Sequence, residues 1–188
     1  MYNIFKWNHI QNVKSEQKAL VHSLALVLLL GFELSYYLLI VQTGITQHFH
    51  SDLVLLAPLF LGGIGGTYLS SLEWGFAKTS QQKLMIALFI QGMLSFLYPN
   101  FSFITLFFLG LTVGVTAPLS IYVFNKTQQL ELVVALAIAY VTGTYFFTTY
   151  VDSRTEMAIV FSLASFVGAS FLNGHEFYKK SISSYLDT

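Results

Sequence analysis

The run LLLGFELSYYLLI, residues 28–40, carries a single acidic group, Glu33, among residues that otherwise suit a lipid interior. A charged side chain at the centre of a membrane helix costs on the order of 2.5–3.5 kcal/mol on insertion scales, so it faces protein or water. Two chemistries fit such a carboxyl: a proton-coupling or cation-binding site, or a neutral acid that hydrogen-bonds a neighbouring helix through a Tyr or Thr. Helical spacing puts His22, Leu26, Leu29, Glu33, Tyr36 or Tyr37, and Ile40 on one stripe. His22 and Glu33 are eleven residues apart, about 16 Å along a helix axis, so only a water chain could make His22 a proton relay; the alternative is an interfacial histidine. Gln91, Tyr140, Thr144, Thr148, Ser162 and Ser165 are further candidates for a polar lining. The HFH of His48 and His50 reads as a solvated loop, because no cysteine and few carboxylates are at hand to complete a metal site. No two histidines occupy facing spans, which disfavours haem. No paired carboxylates or nucleophile–base set is recognisable, so neither an enzyme nor a cofactor is expected.

The elements that must hold these groups follow from composition. The chain is 55% hydrophobic and 10% charged, against roughly 45–50% and about 25% in a soluble domain. This is the composition of an integral membrane protein. Zero net charge gives no pull toward nucleic acid, and the lack of cysteine removes disulfide, thiolate and iron–sulfur chemistry. Six segments approach the roughly 20 apolar residues of a spanning helix: 19–43, 53–72, 84–98, 101–124, 130–151 and 157–172. The reading is an all-α polytopic bundle, with a tail at 1–18, a six-helix transmembrane domain at 19–172 and a tail at 173–188. Lys6, Lys14, Lys18, Lys78, Lys83, Lys126, Lys179 and Lys180 fall on one side of these spans, and only Arg154 falls on the other. Basic loops stay cytoplasmic, which places both termini in the cytoplasm and the chain in the cell's inner membrane as a multi-pass protein. The first apolar run is too long for a signal-peptide core, and Ile4, Phe5 and Trp7 ahead of it suit an interfacial anchor.

Small residues recur at helical spacing: Gly62 and Gly66, then Gly110 and Gly114, then Ala135, Ala139 and Gly143. Lipid gives no hydrophobic drive to association, and such stripes let helices approach closely. Packing is therefore their expected role. Pro118, four residues after Gly114, frees a backbone carbonyl inside a span and can act as a hinge, with Thr116 or Ser120 re-satisfying the polar groups.

The stretches LAPLFLGGIGGTYLSSLEWGFAKTSQQKLMIALFIQGMLSFLYP and FFLGLTVGVTAPLSIY resemble helices two to four of the major facilitator superfamily. A Gly-rich second span, a basic loop, a third span, a tight turn and a fourth span with G-x-x-x-P follow in that family's order, and the topology matches one six-helix half. Within the family the chain looks most like the membrane portion of spermidine-synthase-like proteins, whose first span reads G-F-x-x-L-x-Y-E. Gly31, Phe32 and Tyr37 occupy matching places, and Leu38 stands where that Glu would. Glu73, Trp74 and Gly75 replace the Asp-Arg and Gly of the usual facilitator loop. No synthase domain is present in residues 173–188.

The resemblance implies a substrate site between two six-helix halves, so a single half needs a second copy or a second membrane subunit. The expected function is a half-sized transporter working as a dimer on a small solute, neutral, amphipathic or cationic, with Glu33, Tyr36, Tyr37, Gln91 and Tyr140 as coupling or substrate-contacting residues. A non-transporting subunit that scaffolds a larger membrane complex, or binds substrate for it, is the other reading.

Overall fold

Local signals set where each helix starts and stops. In the computed structural model the backbone is described for residues 2–45, 52–75, 77, 79–97, 99, 102–125, 127 and 129–186, and side chains for those of them between 21 and 172, apart from 42–44. Helix α1 runs Tyr2–Leu39 and continues as a π-helical turn, Ile40–Ile45. Helix α2, Leu53–Ser71, starts on Asp52, whose carboxylate accepts Val54 N–H at 2.8 Å. Capping boxes open α3, Ser80–Ser95, through Thr79 and Gln82, and α4, Phe103–Phe124, through Ser102 and Thr105. Helices α5, Gln129–Tyr150, and α6, Arg154–Leu186, complete the bundle. Among the described residues there is no strand beyond the isolated bridge of Trp74 and Ala77.

Among the described residues, five helical stretches are long and apolar enough to cross a membrane: Val21–Leu39, Leu53–Ser71, Phe103–Phe124, Gln129–Tyr150 and Arg154–Leu172. The remaining helix, α3, has 16 residues and lies at 80–95 instead of 84–98. Its T-x-x-Q capping box recruits the polar residues 80–83 into the first turn, and the helix is over before Pro99. The first and last helices run past the expected spans, α1 from Tyr2 and α6 to Leu186. The expected roles of His48, His50, Lys78 and Lys126, and of the side chains of Ile4, Phe5, Lys6, Trp7, Lys14, Lys18, Lys179 and Lys180, lie outside the described residues.

The helix pairing has a definite order. α1 packs on α6, α6 on α3, α3 on α4, and α4 in turn touches α1, closing a four-helix ring. α5 is attached to α1, and α2 to α4. Exchanging each helix with the one three places further along maps these pairings onto themselves; the sparse contact of α5 with its chain neighbour α6 is the exception. His22 meets Phe171, so the apolar part of α1 begins where that of α6 ends.

Glycine makes the two outer attachments close. A Cβ on Gly62 or Gly66 would run into the backbone of Phe107, Leu111 or Val115, and one on Gly110 or Gly114 into that of Leu59 or Gly63. On the other side Gly31 lies against Leu136 and Ala139, and Gly143 against Ser35. The expected packing role of these residues thus corresponds to two seams. Pro118 lies within an unbroken α4, and Pro58 within α2. At the loop joining α2 to α3, Trp74 Nε1 donates to Leu69 O at 3.0 Å and Lys83 Nζ donates to Leu72 O.

The seam can be tested with two neighbouring glycines. A Cβ at Gly65 has as its nearest neighbour only Leu111 Cδ1, at 4.0 Å, whereas one at Gly66 has no room. Thermal unfolding in detergent is expected to show Gly65→Ala close to the parent and Gly66→Ala destabilised by about 1–3 kcal/mol or more, the range of overpacked cores.

Candidate functional site

The ring encloses a polar layer. Each of its four helices contributes one buried side chain: Glu33 from α1, Gln91 from α3, Thr116 from α4 and Ser165 from α6. Gln91 Nε2 donates to Glu33 Oε1 at 2.5 Å, and Ser165 Oγ donates to the same oxygen. Thr116 Oγ1 donates to Gln91 Oε1 at 3.0 Å. Gln91 Nε2 is also 3.3 Å from Ser165 Oγ, whose single proton is shared between Glu33 and the Phe161 carbonyl at 3.0 Å. Ser162 adds a further tie from α6 to the Gly92 carbonyl of α3, at 2.6 Å.

Apolar clusters flank this layer on both sides. One gathers Phe32, Tyr36, Ile40, Leu59, Val113 and Phe161 among others, and the second gathers Leu30, Leu84, Leu88, Val115, Leu119 and Leu172. Glu33 is only 4% exposed. Its partners supply hydrogen bonds and no positive charge. Satisfied polar networks of this kind fix which helices meet and at what register, and they become costly when one member is removed.

The other expected site residues are dispersed. Tyr36 is fully buried in the first apolar cluster, against Phe32, Phe147 and Phe161, and its hydroxyl has no hydrogen-bond partner among the described residues. His22 stays at the far end of α1, its Nε2 3.0 Å from Phe171 O and its ring stacked on that phenyl. Tyr140 points away from the bundle, 59% exposed. Thr144 and Thr148 bond back to the carbonyls of Tyr140 and Thr144, one turn earlier. Of the predicted polar set, the structure brings together Glu33, Gln91 and Ser165, with Ser162 beside them. Thr116 joins them, and its hydroxyl is also 3.3 Å from the Val113 carbonyl.

Tyr37 faces a second feature. A lateral cleft of about 830 Å³ opens between the end of α1, at Tyr37 and Val41, and the side of α2 carrying Leu59, Gly63, Thr67 and Ser71. Its size falls in the range of small-molecule sites, and Val41 belongs to the π turn, a feature frequent at functional positions. The spacing of Gly63, Thr67 and Ser71 at four residues was a readable sign of a small, hydroxyl-bearing wall. Glu33 lines neither this cleft nor the apolar one at Met85, Phe89 and Phe166. Among the described residues no three His, Asp or Glu side chains converge as metal ligands would. Comparisons with protein-family models, with curated proteins and with solved structures found no match to this chain.

A neutral shell suits an amide as well as an acid. Glu33→Gln is therefore expected to unfold at nearly the parent temperature in detergent. Gln91→Leu leaves the carboxyl and Thr116 without their shared partner and should cost about 1–3 kcal/mol. Equal melting of the Gln91→Leu and parent proteins would show that the layer does not hold the ring.

Proposed function

We propose that the chain is a half-sized, facilitator-like carrier with six membrane-crossing helices and both termini in the cytoplasm of the inner membrane, acting as a dimer on a small solute. The observation that carries this reading is the pairing scheme that survives exchange of α1, α2 and α3 with α4, α5 and α6. Inverted three-helix repeats nested in six-helix halves are a design of facilitator-type carriers, whose substrate lies near the midplane between halves. The lateral cleft supports the same reading, because its wall of Tyr37, Gly63 and Thr67 is open to the side and incomplete within one chain. No Lys or Arg of the described residues lines it, which favours a neutral, amphipathic or cationic solute over a polyanion.

In this reading Glu33 is the coupling group. It is sealed in the state described, and it meets water when α1 and α6 part on the way to the alternate state. The polar layer then acts as a latch whose closure is linked to the occupancy of the carboxyl.

The sealing of Glu33 also favours a second reading: a membrane subunit that does not transport alone, in which the polar layer serves only to fix the ring. Purified protein in vesicles loaded with a pH-sensitive dye separates the two. A panel of small amphipathic amines is expected to include one whose uptake moves protons, and Glu33→Gln to remove the proton movement without disassembly. Inert vesicles, together with co-purification of a different subunit from native membranes, would establish the second reading instead.

A further inference from the structure

Tyr140 is in the wrong place for a tyrosine that faces lipid. Helix α5 has 22 residues, about 33 Å of helix, which matches a hydrocarbon core of about 30 Å. Tyr140 is ten residues from its end at Tyr150, about 15 Å. Tyrosines gather at the two interfaces, where the hydroxyl meets water or headgroups, and this one is beyond the reach of snorkelling along the helix. The residue is 59% exposed. Acyl chains offer it no partner, and a hydroxyl left unpaired in an apolar medium costs free energy. Helix α5 is also the least enclosed of the five candidate spans, with 22% of its window buried, followed by α2 with 28%.

We infer that Tyr140 of one copy lies against the lateral cleft of a second copy, so that the partner chain supplies a phenol to the site proposed above. Three observations select this occupant. The cleft is a hydroxyl-bearing surface of the same chain, lined by Tyr37 and Thr67 as well as apolar groups. Gly31 meets Ala139 and Ser35 meets Gly143, so α1 and α5 run parallel, Tyr37 is level with Tyr145, and Tyr140 lies about 7.5 Å from Tyr37 toward the N-terminal end of α1, within the length of a cleft that runs along α2 from Leu59 to Ser71. Ile64, on the cleft wall, is eleven residues from the start of α2, about 16 Å, against about 15 Å for Tyr140. Finally, a two-fold interface makes each contact twice, residue i of one copy on residue j of the other, so one pairing satisfies both phenols and covers both clefts.

The inference rests on the dimer of the preceding reading and adds the surface that forms it. The chain has no cysteine, so single-cysteine variants are clean probes. Tyr140→Cys and Ile64→Cys, carried on differently tagged copies in native membranes, are expected to form a crosslinked dimer on oxidation. Ile138→Cys, exposed on another face of α5, should crosslink to Ile64→Cys several-fold less. Tyr140→Phe removes the contact from both copies and should weaken dimerisation in bilayers about eightfold, as loss of two membrane hydrogen bonds does, with melting of the protomer unchanged. Crosslinking of Tyr140→Cys to itself, equal crosslinking from Ile138→Cys, or no crosslink at all overturns the assignment. A specific crosslink in protein that moves no solute keeps this interface and removes the carrier reading.

Discussion

A carboxyl in a membrane helix must be met by other polar groups, and this bundle is arranged around meeting one. Glu33 draws an amide from α3 and a hydroxyl from α6, and the amide in turn holds a hydroxyl from α4. Four helices therefore share one register. Apolar clusters above and below the layer exclude water from it. The cost of leaving any of these groups unpaired in such surroundings gives the ring a specificity that interchangeable leucines and phenylalanines would not.

The two remaining helices are held by a different force. α2 is set against α4, and α5 against α1, through glycine and alanine seams that allow backbone-to-backbone approach and add little polar content. Dispersion over a close contact replaces hydrogen bonding there. Most residues in the span of each of these helices are not buried within the chain. The centre is held by paired polar groups, and each flanking helix by one close seam.

How much of this was legible in the sequence varies by feature. The helices were readable because about 20 apolar residues and the breaks between them are written directly in the chain. The start of α3 was misplaced because hydropathy discounts the polar residues 80–83, although the Thr79–Gln82 capping box marks the true start. The glycine seams were legible as stripes, and their partners were not, because one-dimensional spacing does not say which helix faces which. For Glu33 the cost of burial announced a polar contact; Gln91 and Ser165, 58 and 132 residues away, stood only in an undivided set of polar candidates. Thr116 was noticed for its nearness to Pro118, which says nothing of its contact with Gln91 on another helix. Tyr140 was read as internal, since in a bundle a mid-span hydroxyl ordinarily faces inward; the orientation of α5 about its own axis is a tertiary fact.

The brevity of α3 has a mechanical consequence. Sixteen residues extend about 24 Å, some 6 Å short of a hydrocarbon core of about 30 Å. In a six-span topology a helix this short is met by local thinning of the bilayer, by snorkelling of flanking side chains or by cover from another chain, and thinning would draw headgroups inward on the flank where Met85 and Phe89 line the apolar cleft. Mismatch of this size carries a modest elastic cost per ångström, and it would make the chain's preferred surroundings a matter of lipid length. Short-chain or unsaturated lipids would settle beside α3, and thick, ordered membrane would repel it.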